Sequence, residues 1–177
     1  MDLRKERTKR NIINAFLELR ARKPLEKITV KELSELALIN KATFYSHYDD
    51  LYALSEQLET EIIDNIFSGL SCIDSISILN NPRRYTSELM QAFLSQRELL
   101  DIVFSGNRRF VLSSHLERKT KEIIYRNHPE LKNNLEWDIK LTILIQGCNY
   151  AFLQYENNAN IDELPDIFGR IVDKLMS

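Results

Sequence analysis

The stretch Thr29–Tyr48, TVKELSELALINKATFYSHY, decides how the chain is read. Thr29-Val30-Lys31-Glu32 has the form of a capping box: the threonine hydroxyl takes the amide three residues on, and the glutamate reaches back. Val30, Leu33 and Ala37 then recur at helical spacing and predict a short helix over 29–38. After a brief turn, Asn40 is placed to cap a second helix over 41–48. Phe44 and Tyr48 lie four apart and form its inward side, packing on Leu33, Ala37 and the helix before. Two short helices across a tight turn have the form of a helix-turn-helix, whose second helix fits the major groove of DNA. The expected exposed residues of that second helix are Lys41, Thr43, Tyr45, Ser46 and His47, all of which can donate to phosphates or base edges. Thr29 and Lys31 open the preceding helix, where free amides can hold a phosphate, and Asn40 completes the candidate DNA-contact set.

Outward from this stretch the chain reads as helix throughout. Ile12, Ala15, Phe16 and Leu19 mark one face of a helix over 3–22, which Pro24 cannot continue. Asp49 and Asp50 suit the positive start of a fourth helix, with Leu54, Leu58, Ile62, Ile63 and Ile66 on its apolar side. The pattern loosens over 71–81, and Pro82 suits a new first turn. Further helices are expected near 82–97, 97–105, 107–127, 133–157 and 161–176. The 133–157 segment is apolar on more than one face, which predicts burial on more than one side and, in a chain this small, a partner subunit.

The segment 7–54 resembles the DNA-binding domain of the tetracycline-repressor (TetR/AcrR) family of bacterial regulators. The resemblance rests on the spacing of the first helix, Thr29-Val30, Leu33 with Ala37, and Lys41-Ala42-Thr43-Phe44-Tyr45-Ser46-His47-Tyr48, where the family has a Thr-x-Tyr-x-His-Phe core. It implies an all-α protein with an N-terminal three-helix DNA-binding head and a helical-bundle body for dimerisation and effector binding. The implied division is a head over 1–48, a connecting helix over 49–70 and a body over 71–177. The implied activity is repression, by a homodimer on a pseudo-palindromic operator in double-stranded DNA. Thr29, Tyr45 and His47 would hold phosphates, while Lys41 and Thr43 would approach bases. Leu38 stands where the family has glycine, so a positive φ there would strain a branched side chain. Leu51 stands where a phosphate-binding lysine is common, behind Asp49 and Asp50, which predicts weaker or more dimer-dependent DNA binding. Leu51 and the Asp49-Asp50 pair motivate an alternative: a co-regulator with a degenerate head, acting through a protein partner.

Composition agrees with a helical regulator. In 177 residues there are only four Gly and four Pro, too few for the turns of an all-β fold. The four glycines are too scattered for a phosphate-binding loop. Residues 1–48 carry eleven Lys/Arg against six Asp/Glu, and the remainder thirteen against twenty, so a basic third (+5) precedes an acidic body (−7). That asymmetry suggests that one end faces a polyanion. The histidines His47, His115 and His128 show no metal-ligand spacing, and Ser113-Ser114-His115 has no nucleophile elbow. The expectation is therefore no catalytic residue, no metal and no cofactor. A small apolar or aromatic effector would sit among body aromatics, with Phe93, Phe104, Phe110, Trp137 and Tyr150 as candidate lining. No apolar run approaches a membrane span, no apolar stretch of a secretory signal follows MDLRKERTKR, and Cys72 and Cys148 read as reduced, buried thiols. A cytoplasmic location is expected, with no membrane partner.

Overall fold

A computed structural model describes residues 3–70, 78–157 and 160–177. Cys72 and most of the loosened stretch 71–81 lie outside the described residues. All regular structure among the described residues is helical. The helices are α1 (Leu3–Arg20), α2 (Val30–Leu36), α3 (Lys41–Tyr45), α4 (Leu51–Ser68), α5 (Pro82–Ser95), α6 (Arg97–Val103), α7 (Arg109–Asn127), α8 (Leu135–Tyr155) and α9 (Leu164–Met176). Short 3-10 turns at Leu25–Lys27, Gly106–Arg108, Pro129–Leu131 and Ile161–Glu163 take up residues between them. None of these helices is long and apolar enough to cross a membrane.

The caps explain where helices begin. Asn40 Oδ1 accepts from the Thr43 amide at 2.7 Å, Asp50 Oδ1 from the Ala53 amide at 2.7 Å, and Asn134 Oδ1 from the Trp137 amide at 3.2 Å. Each satisfies an amide that the first turn leaves without an intrahelical partner. Pro82 occupies the first turn of α5, behind Asn81, whose Oδ1 accepts from the Arg84 amide. The capping box expected at Thr29 forms only in half. The hydroxyl accepts from the Glu32 amide at 3.2 Å, but the Glu32 carboxylate meets Lys23 Nζ at 2.5 Å. A nearby cation competes for that carboxylate, and here it wins.

Contacts divide the chain into two compact units. One gathers Met1–Glu61 with Glu98–Arg108, and the other Ile62–Arg97 with Arg109–Ser177. Residues 98–108, placed by the sequence with the body, thus group with the N-terminal helices. In the first unit α2 packs on both α1 and α3. Its core is Ile12, Phe16, Leu25, Leu33, Phe44 and Leu54, with Val103 and Phe104 from the distant segment. Buried charges hold that segment. Arg20 of α1 donates to the Val103 carbonyl at 3.1 Å and to Ser105 Oγ at 2.7 Å. Glu59 of α4, fully buried, accepts from both Arg108 Nε at 2.9 Å and Arg108 Nη2, and from Ser55 Oγ at 2.7 Å.

In the second unit α5 lies along α9. The buried face of α9 is Leu164, Pro165, Phe168, Gly169 and Val172, which recur at helical spacing. A Cβ on Gly169 would come within 2.3 Å of Ser87 Oγ and 2.8 Å of the Arg83 carbonyl, so this approach requires glycine. Ser87 Oγ donates to the Pro165 carbonyl at 2.8 Å beside it. Between α7 and α8 runs a polar ladder. Lys121 meets Glu117 at 2.9 Å and Asp138 at 2.8 Å, and Glu117 also accepts from Thr142 and Gln146.

Candidate nucleic-acid interface

Four residues, Ala37–Asn40, separate α2 from α3. Ala37 is buried, and its amide closes the last turn of α2 by donating to the Leu33 carbonyl at 2.8 Å. Leu38 then takes a φ of 56°, the only positive value among described non-glycine residues, with its side chain 90% exposed. This left-handed step frees the Ile39 amide to reach back to the Ser34 carbonyl at 3.0 Å. The chain then enters α3 at a new angle. The position that the resemblance marks as glycine is thus left-handed here too.

α3 is one and a half turns long and is anchored from below. Phe44 is fully buried and Tyr48 nearly so, with ring centroids 5.9 Å apart, and Tyr45 sets its edge to Phe44 at 5.5 Å. Burial pushes the Tyr48 phenol above its ordinary range. Lys41, Tyr45 and Ser46 are exposed, and Tyr45 keeps 55% of its surface. Thr43 and His47 are only half-exposed, against the expectation that all five would face out. The reason is periodicity: on a helix anchored by Phe44, positions 43 and 47 fall at the flank of the outward face. Thr43 Oγ1 donates to Asn40 Oδ1 at 2.9 Å, and Ser46 Oγ donates to the Thr43 carbonyl at 2.7 Å. Asn40, Thr43 and Ser46 therefore form one bonded string along α3, and both hydroxyl oxygens retain acceptor capacity. Thr29 and Lys31 stand exposed at the start of α2, where Lys31 makes only a loose 4.0 Å pair with Glu35.

The surroundings explain two departures from the resemblance. Leu51 is buried and belongs to the core rather than the surface. Asp49 and Asp50 are exposed, with Asp50 turned to its capping bond. Lys9 of α1 pairs with Glu61 at 2.9 Å; that hydrogen bond holds the lysine above its ordinary value.

The five candidate effector-lining aromatics divide between the two units. Phe104 is buried in the first unit, whereas the other four belong to the second. Phe110 is 84% and Tyr150 68% exposed, Phe93 and Trp137 are half-buried, and Lys140 Nζ sits 5.1 Å from the Trp137 ring centre. Cys148 is a free thiol, half-buried, with its pKa raised to about 11 by desolvation. No group of three metal-ligating side chains occurs among the described residues. The sequence reading missed the buried Arg20 and Glu59 and the half-buried Arg108 that pairs with Glu59. The one local signal was Glu59 in line with Ser55, Ile62 and Ile66 on an apolar face. No protein-family model matches the chain, and a search of curated proteins finds no significant match.

Proposed function

We propose that the chain is a DNA-binding transcriptional regulator of the tetracycline-repressor type. In this reading α2 and α3 form a helix-turn-helix that places α3 in the major groove. One observation carries it: Phe44 and Tyr48 anchor a short helix from beneath while Lys41, Tyr45 and Ser46 stay outward, within the first 48 residues, whose net charge is +5. Lys41 and Thr43 approach base edges. Thr29, Lys31, Tyr45 and His47 meet phosphates, with Asn40 and Ser46 holding the string that orients Thr43. The protein acts as a homodimer on a pseudo-palindromic operator, because two heads one DNA turn apart read two half-sites. Exposed Leu135, Ile139, Ile143 and Tyr150 on α8, with Ile171 and Leu175 on α9, support a second copy as partner. The action is repression, relieved by a small effector in the body that biases the heads through α4.

A protein partner in place of DNA is the second reading. It is favoured by the exposed carboxylates Asp49 and Asp50 and by Leu51, which is buried where the resemblance has a phosphate-binding lysine. Fluorescence anisotropy on DNA from the upstream region of its own gene, at two salt concentrations, separates the two. Sequence-selective binding that weakens with salt and is lost in Tyr45→Ala/His47→Ala supports the regulator. Binding no better than to random DNA and unchanged in the double variant supports the protein partner.

A further inference from the structure

The positive charge of the first 48 residues is not concentrated on α3. Residues 3–11 carry five cations against Glu6, a net +4, whereas residues 12–48 carry six against four, a net +2. α3 itself has one cation, Lys41. The concentrated charge lies on about the first two and a half turns of α1, which none of the contacts assigned above uses. These turns stand clear of the core. Residues 3–7 are all exposed, which is once round the helix and more, and Ile12 is the first buried residue of α1. Lys9 turns inward to Glu61 of α4 at 2.9 Å. Burial raises the Tyr48 phenol and Lys9 pulls it partly back, so this end of α1 lies near the ring that anchors α3.

On the side away from Ile12, Phe16 and Leu19, helical spacing sets Arg4, Arg7, Arg10, Asn11 and Asn14 in one row, all exposed. The row holds three guanidinium groups and two amides, and no carboxylate before Glu18, which Arg22 meets at 2.7 Å. Arg7 and Arg10 have no ion-pair partner among the described residues. Cations at a helix start oppose the macrodipole, and a stretch exposed on every side gains nothing from packing, so folding alone does not account for the row. Its chemistry identifies the occupant. A guanidinium fork matches phosphate oxygens, amides donate to them as well, and duplex DNA offers one charge about every 1.7 Å. A membrane surface needs an apolar face beside the cations, and that of α1 is buried.

Resting on the DNA reading above, we propose that this row is a second DNA contact, in which Arg7 and Arg10, with Asn11 and Asn14, hold backbone phosphates outside the groove that takes α3. It adds affinity without base selectivity. The test compares the full chain with Arg7→Ala/Arg10→Ala and with Lys5→Ala, whose side chain leaves α1 on the opposite face. Anisotropy over a salt series, on upstream and on random DNA, is run beside hydroxyl-radical footprinting and thermal unfolding. The double variant loses two phosphates in each of two heads, so its slope of log affinity against log salt should flatten by about 4 on both DNAs. Its footprint on each half-site should shorten. Lys5→Ala should change the slope by less than about 1. Neither variant should unfold below the parent's temperature, since alanine is the better helix former and a cation leaves the helix start. Selective binding with an unchanged slope in the double variant, or equal flattening per residue by Lys5→Ala, overturns the row while leaving the regulator. Unselective binding that the double variant flattens keeps the row and overturns the regulator. No binding of the full chain to either DNA overturns both.

Discussion

Leu38 holds a left-handed backbone with a γ-branched side chain that touches little, since 90% of it is exposed. For an L-residue that conformation costs roughly 1–2 kcal/mol, and glycine removes most of the cost at some expense in chain entropy. Leu38→Gly should therefore stabilise the protein by about 1 kcal/mol, read as a higher urea midpoint at unchanged slope. A lower midpoint would mean that the leucine makes contacts that outweigh the strain. Glu59 and Arg108 give the opposite case. Glu59 has no exposed surface and Arg108 little, so removing one partner strands the other charge. Glu59→Leu should cost about 3 kcal/mol, and Glu59→Leu/Arg108→Met distinctly less than the sum of the two single changes. The double-mutant cycle measured by denaturation decides this, and additivity would show that the pair is not coupled. The left-handed turn was not legible from the leucine itself: only the resemblance marks residue 38 as a glycine position, and a branched residue there argues for a different turn. The ion pair was not legible either, because nothing in the spacing of residues 59 and 108 says that a loop between two later helices returns to α4.

Helix boundaries were legible for a local reason. Asn40, Asp50 and Pro82 act within one turn, and the observed α3, α4 and α5 start where those residues place them. The partner of each helix was less legible, since an apolar face is complementary to any other. The α5–α9 approach turns on Gly169, whose missing Cβ leaves room for Ser87 and the Arg83 carbonyl. Gly169→Ala gains helix propensity of about 1 kcal/mol but places a methyl group against a backbone carbonyl that cannot rotate away. A net loss of about 1–2 kcal/mol is expected in thermal unfolding, and a gain would show that α9 shifts freely along α5. The α7–α8 ladder makes a pH prediction. Desolvation pushes Glu117 up, but hydrogen bonds from Gln146, Thr142 and Lys121 together outweigh it and hold the carboxyl below its ordinary 4.5. Desolvation likewise pushes Lys121 down, and its bonds to Asp138 and Glu117 bring it net above 10.5. A depressed carboxyl stabilises the fold above 4.5 and loses that contribution as pH falls through its folded value. The raised lysine contributes fully below 10.5 and loses it as pH rises through its folded value. Glu117→Gln should thus unfold at lower temperature than the parent at pH 7, by about 1 kcal/mol of stability, with the gap narrowing on acidification below 4.5. A gap that stays constant down to the acid limit would contradict the ladder.

For the molecule as a whole, charge distribution sets what the DNA reading must show. On that reading the basic N-terminal third would supply the attraction to duplex DNA, and the acidic remainder would add repulsion. Each phosphate neutralised by a lysine or arginine contributes about −0.9 to the slope of log affinity against log salt. Lys31 and Lys41, both exposed, have different assigned partners, so they should respond differently. On that reading Lys31→Ala would remove a phosphate contact from each head; in a dimer it should flatten the slope by about 2 and weaken operator and random DNA alike. Lys41→Ala would remove the proposed base contact; it should weaken operator binding by about 1–3 kcal/mol per half-site while random DNA changes less. Salt titrations of both variants on both DNAs, followed by anisotropy, give the four slopes needed. Equal effects on operator and random DNA in both variants would mean that α3 binds the backbone without reading bases. A slope change of about 1 for Lys31→Ala would mean that one head, not two, engages the duplex.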